Sequence, residues 1–142
     1  MAGYNKFNDF VEQLGLAVHN LNTHTLKVAL ARATDPPTAA DTILSNITQP
    51  TGTNYAPIDT QNTFAEASGT ATLTGTKCVF SAGGADWQSF QYVILYNDDV
   101  TSPLDALISW WDYLSPLTLA SGETFSVKFN SSDTTGTIFT LA

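Results

Sequence analysis

Few side chains in this sequence carry reactive groups at useful spacing. Asp98, Asp99 and Asp105 fall in one turn-rich stretch, and Asp112 follows shortly after. Paired carboxylates can hold calcium or hydrolyse a glycoside. Here the spacing fits no calcium-loop pattern, and Asp and Asn are ordinary turn residues, so solvated turn acids are expected. His19 and His24 are five residues apart, which does not put two imidazoles on one helical face. Capping or solvent exposure is expected of them. Cys78 sits beside Val79 and Phe80 in an apolar run and is expected to be a buried, inert thiol. There is no Gly-x-Ser-x-Gly, phosphate loop or dinucleotide fingerprint, and Gly83-Gly84 reads as a turn. No catalytic, cofactor or metal residues are assigned, and an enzyme is not expected.

The aromatic residues are more informative. Trp87, Tyr92, Tyr96, Trp110, Trp111 and Tyr113 crowd into one stretch, and Leu107 to Tyr113 reads Leu-Ile-Ser-Trp-Trp-Asp-Tyr. In a β-strand, adjacent indoles point to opposite faces. One is expected against an opposing sheet and the other against a helix or long loop. An interface with another subunit comes next, and a platform for stacking sugar rings third.

These residues need elements to hold them. Phe7, Phe10, Val11, Leu14, Val18 and Leu21 recur at steps of three and four, which predicts an amphipathic helix over 4–22 with Lys6, Asp9, Glu12 and Gln13 outside. It either covers an open side of its own sheet or docks on a neighbouring subunit. From Thr25 the pattern alternates, with Leu26, Val28 and Leu30 on one face. Asp35-Pro36-Pro37 ends that strand. Residues 49–63 contain Pro50, Gly52 and Pro57 and predict a long loop with a short strand near Tyr55 to Ile58, a candidate contact arm. Further strands are expected at 71–74, 77–80, 90–96, 106–113 (broken by Ser115-Pro116), 125–129 and 138–141. Phe90 to Tyr96 is apolar on both faces, as in a central strand. The expected fold is mainly β: one domain over 1–142, a β-sandwich or jelly-roll-like body (25–142) of about eight short strands with one N-terminal amphipathic helix.

Composition narrows the classes. The chain has 142 residues, 13 acidic and 5 basic side chains and a formal net charge of −8. So few cations argue against nucleic acid or an anionic membrane as partner. A single cysteine permits no intrachain disulfide. No apolar run approaches the roughly 20 residues of a spanning helix. The N-terminus does not look like a secretory signal, so synthesis and folding in a cytoplasm are expected.

Three stretches carry a resemblance: Tyr4-Asn-Lys-Phe-Asn-Asp-Phe-Val-Glu-Gln-Leu-Gly15 with its Thr25-Leu-Lys-Val28 sequel, Phe90 to Asp98 paired with Leu107 to Tyr113, and Ser121-Gly-Glu-Thr-Phe-Ser-Val127. They resemble small β-rich virion proteins of tailed bacteriophages over nearly the whole chain, with 35–70 matching least. The resemblance implies a structural protein made in the bacterial host cytoplasm and located in the virion. Within that class a capsid decoration (cement) protein is expected, on the outside of the head against the major capsid protein, as a homo-oligomer with a trimer favoured. A tail or head-fibre component and a carbohydrate- or receptor-binding sandwich are the alternatives. The interface candidates are Phe7, Phe10 and Leu14 of the helix, Pro50, Tyr55 and Pro57 of the long loop, and Trp87, Trp110 and Trp111.

Overall fold

The computed structural model describes residues 2–142. Its organising element is the strand Phe90–Asn97, apolar on both faces and paired on both edges. Labelled in chain order, the elements are β1 (Tyr4–Lys6), α1 (Asn8–Gly15), β2 (Leu26–Arg32), β3 (Ile58–Asp59), β4 (Thr63–Ala67), β5 (Thr70–Gly75), β6 (Cys78–Ser81), β7 (Phe90–Asn97), β8 (Leu107–Leu117), β9 (Thr124–Val127) and β10 (Gly136–Leu141). One antiparallel sheet has the order β1-β8-β7-β2-β3. Its register places Val28 opposite Leu95, Leu30 opposite Val93, and Ile94 opposite Trp110.

Because side chains alternate along each strand, this sheet has two apolar faces. Leu26, Val28, Leu30, Val93 and Leu95 enter the larger core, while Ala29, Ala31, Ile94, Tyr96 and Leu107 form a second cluster. Over the first face lies a second layer of two antiparallel pieces, β10-β5-β4 and β6-β9. Their registers show one broken hairpin. Residues 124–127 run beside 81–78, and 136–141 run beside 75–71, with 128–135 looping out between them. Gly136 marks the break, since a Cβ there would meet the Phe129 carbonyl oxygen at 2.5 Å. The second face is covered by Phe7 and by Leu44 and Ile47 at a short 3-10 turn, tied down by Leu107 N–H to Thr42 O and Leu44 N–H to Asp105 O. This is a β-sandwich-like domain with one N-terminal helix, as the alternation and turn spacing predict.

Several expected boundaries need correction. The helix does not span 4–22. Tyr4–Lys6 is an edge strand antiparallel to Ser109–Trp111, and α1 stops at Gly15. Phe10 and Leu21 still join the core, but Val11 is 52% exposed. The stripe mixed three local structures whose apolar residues happen to share a helical period. The described residues form ten strands, several of them very short, in keeping with the expected sandwich. The Ser115-Pro116 break proves to be a bulge inside β8: Asp112 pairs with Tyr92 and Leu117 with Phe90, and 113–116 lie outside the ladder.

The long loop is no arm either. β3 pairs with only Lys27 and Val28 of β2. Beyond it the loop supplies what a full strand would: Leu30 N–H donates to the Tyr55 hydroxyl (2.9 Å), Arg32 N–H to Thr48 O, and Thr60 N–H to Leu26 O. Asn62 accepts from Leu26 N–H and donates to the carbonyls of Leu21 and His24. The polar residues that made the segment look mobile are the ones that satisfy this sheet edge.

Gly52 is pressed against the face of Trp87, with no room for a Cβ. Gly52→Ala should therefore lower stability by about 1–3 kcal/mol, the usual cost of overpacking. Urea unfolding followed by tryptophan fluorescence measures this, and an unchanged midpoint would show that the loop yields freely.

Candidate functional site

The aromatic residues divide between core and surface. Trp87 is 2% exposed, donates its indole N–H to Thr53 O (2.9 Å), and packs edge-on to Tyr55 and Phe80. Pro50 is buried, and Tyr55 and Pro57 are half-buried. Phe7 and Phe10 are 0% and 2% exposed, and Leu14 is half-buried against the core. As interface candidates, Phe7, Phe10, Pro50 and Trp87 are corrected: packing within the chain already covers them.

The paired indoles do point to opposite faces. Trp110 lies against Phe7 at 4.5 Å between ring centres, on the second cluster. Trp111 lies against Tyr4 (5.7 Å) and Phe129 (6.1 Å). Both are half-buried. Their surroundings differ, because Trp111 forms one wall of an open cleft of about 330 Å³. Tyr4 and Tyr113 extend that wall, and Phe125 to Phe129 with Thr137 and Ile138 form the other. Five consecutive residues on one wall make it a strand edge, and the opposite wall is the sheet face itself, where Tyr4, Trp111 and Val93 lie side by side across three strands. β9 and β10 each pair on one side only, with β6 and β5. So one side of the sandwich is sealed by the long loop, and the other stays open between β8 and the β9–β10 edge.

The cleft lining contains no acid, and its one charged residue is Lys128. That lysine meets Asp133 at 2.5 Å, and Lys77 reaches the same carboxylate at 3.4 Å. These two lysines hold the Asp133 carboxyl below its ordinary value, Lys128 contributing first. Ser126 and Thr137 add hydroxyls, and Tyr4, Tyr113 and Trp111 bring the polar tips of their rings.

The reactive side chains have internal partners. Asp98 pairs with Lys27 (2.7 Å) and accepts from the Tyr96 hydroxyl, and Asp99 accepts from Thr25 N–H. Burial, then the Asp98 charge, raises the Asp105 carboxyl above its ordinary value. Asp112 is at the opposite end of the sheet, accepting from the Gln91 amide (2.9 Å) and Leu114 N–H (2.7 Å). Among the described residues, no three His, Cys, Asp or Glu side chains gather as a metal site would require. Cys78 is fully buried, and burial followed by the Asp59 charge pushes its thiol up to about 11. No helix among the described residues is long and apolar enough to cross a membrane.

The imidazoles differ from expectation. α1 ends early, so the chain turns back and brings His19 and His24 to one side chain. Asn97 donates its amide N–H groups to His19 Nδ1 (3.1 Å) and His24 Nδ1 (3.0 Å). An amide NH2 has two hydrogens, one for each ring. Asn97 is fully buried at the end of β7, and His19 is 5% exposed. Sequence spacing hid this trio because Asn97 is more than seventy positions away. Likewise the cleft draws on residues 2, 4, 93, 111, 113, 125–129 and 137–138, and no local pattern joins them. β4 did leave a signal that was missed: Ser68-Gly69, both at positive φ, make a two-residue hairpin turn between Ala67 and Thr70.

Comparison with family models, with curated proteins and with solved structures finds no match to this chain.

Burial, then repulsion from His24, lowers His19 from an ordinary 6.5 to about 4, with Asp9 opposing weakly. The unfolded chain therefore binds a proton that the fold excludes, and stability falls as pH drops from about 6.5 to about 4. The loss from this group should be on the order of 2 kcal/mol. Proton NMR of the imidazole checks it: a midpoint near 4 is expected, and one near 6.5 would remove the effect.

Proposed function

We propose that this chain is a non-enzymatic structural protein of a tailed-bacteriophage particle, a decoration protein that binds the outside of the head and ties neighbouring capsomers together. Its partners in this reading are the major capsid protein and further copies of itself, with a trimer favoured. One observation carries the reading: Asp98, Asp99, Asp112 and both imidazole Nδ1 atoms are bonded within the fold and the thiol is buried, while an aromatic cleft is left uncovered by the chain's own packing. Aromatic surface of this kind is what protein interfaces use as anchors. The resemblance of the opening, central and closing segments to small virion proteins supports the particle as the setting. Many modest contacts repeated over a symmetric shell would sum to firm attachment.

A tail or head-fibre component shares these features, and particle location distinguishes it. A sugar-binding sandwich is the weaker alternative. Trp111 offers a ring to stack on, yet the described lining residues include no carboxylate or carboxamide to take sugar hydroxyls in pairs, and the lysine is ion-paired with Asp133.

Deleting residues 1–20 is not a clean test, because it removes β1, Phe7 and Phe10. Fully burying each phenylalanine contributes about 1.5–3 kcal/mol, so the truncated chain should unfold. Electron microscopy of particles carrying a labelled copy tests the proposal directly. Density at regular positions outside the head is expected, and heads lacking the chain should release DNA at a lower temperature until it is added back. Label on the tail alone, or none on the particle, would overturn the decoration role. A tryptophan spectrum that shifts on titration with polysaccharide would favour the sugar reading.

A further inference from the structure

We infer that the aromatic cleft receives a second copy of this chain, and that the inserted element is the bulge at Tyr113 to Pro116. The inference rests on the oligomeric part of the proposed role, and the purified chain tests it apart from any particle.

The bulge is apolar, exposed and held in place. Residues 113–116 have no partner in the ladder, and all four are exposed. Leu114 is 79% exposed, the largest exposure among the large apolar side chains described. It also adopts a left-handed backbone (φ 69°), which costs a non-glycine residue of order 1 kcal/mol. Its N–H is fixed by Asp112, which the Gln91 amide holds in turn. An exposed leucine in an unfavourable conformation, anchored by two side chains, is a feature that a lone subunit does not need.

The cleft is the matching receptor. Tyr113 belongs to both features, so knob and hole share one patch of surface. A rotation axis beside the bulge would seat each copy's knob in the next copy's cleft and close the assembly. The hole presents aromatic walls and the one-sided strands β9 and β10, so it offers an unpaired loop both apolar side chains to pack on and free backbone groups to bond.

Charge favours a second copy at this patch. Each chain carries a formal −8, so two copies repel over most of their surfaces. The cleft lining has no acid, and its lysine is neutralised by Asp133. The nearest acid on the bulge, Asp112, already accepts two hydrogen bonds. Copies of an acidic chain can approach here without burying unpaired carboxylates.

Light scattering after size-exclusion chromatography of the full chain, at up to about 100 µM, tests the inference. The wild-type mass should be a multiple of 15.2 kDa. Leu114→Asn removes the apolar knob while suiting the left-handed backbone, so the fold should survive. Ser126→Arg fills the cleft lip from the other side. Each variant should weaken self-association about tenfold or more, with an unchanged circular dichroism spectrum. Leu16→Asn, on the exposed end of α1, should leave the assembly intact. A wild-type monomer throughout the range overturns the inference, and so does a Leu114→Asn or Ser126→Arg protein that stays assembled. Dissociation by Leu16→Asn alone would move the contact to the helix. A wild-type monomer that still decorates heads would sink this contact and leave the particle role standing.

Discussion

A sheet that is apolar on both faces must be covered twice, and the rest of this chain is arranged to meet that demand. β7 sets it, with Val93 and Leu95 facing one way and Ile94 and Tyr96 the other. A short helix cannot cover either face alone. The second layer covers the first, and Phe7 with the Leu44–Ile47 turn covers the second. Because α1 is only eight residues long, its contribution is local: Phe10 reaches the larger core beside Phe139, and the preceding Phe7 reaches the smaller one. The helix start thus straddles the sheet edge, which explains why the chain must pair as β1 before it turns.

Covering the faces still leaves the edges, and the chain treats its two sides differently. Along β2 the side chains of Tyr55, Thr60 and Asn62, with the Thr48 carbonyl, take up the groups that β3 is too short to reach. Unpaired strand groups invite another chain, so sealing them protects against uncontrolled pairing. On the other side the second layer breaks at Gly136, the loop 128–135 swings out, and β8 bulges away at 113–116. Both departures open the same side of the sandwich, and the cleft is the space they leave.

How much of this was legible in the sequence follows from the range of each interaction. Strand β7 and the alternation of β2 and β9 were readable because their patterns are set by adjacent residues. The helix was overextended because Val18 and Leu21 keep its period by coincidence, while Leu16 and Ala17, the latter at positive φ, end it. The loop reads as an arm from sequence because Pro, Gly, Asn and Thr mark both mobile segments and edge-sealing ones. Only the partner, here the open edge of β2, tells them apart. The resting places of Trp110 and Trp111 were readable as opposite faces, but the cleft beside Trp111 depends on five separate segments.

The polar interior makes the same point about position over type. Two histidines, an asparagine and a cluster of aspartates would suit a catalytic or metal site if they converged on open space. Instead Asn97 spends both amide hydrogens on His19 and His24, and Asp98 and Asp99 fasten the following turn to Lys27 and Thr25. The His trio closes the end of β7, where the early stop of α1 would otherwise leave the sheet open. Burying the His19 imidazole there makes the closure sensitive to acid, whereas a hydrophobic plug would not be. Its advantage is directional. Hydrogen bonds from one fixed amide hold the 19–24 turn in a single place, and Asn62 then ties that turn to the edge-sealing loop. The sealed side of the sandwich is thereby tied by hydrogen bonds from turn to loop, and the aromatic cleft opens on the opposite side.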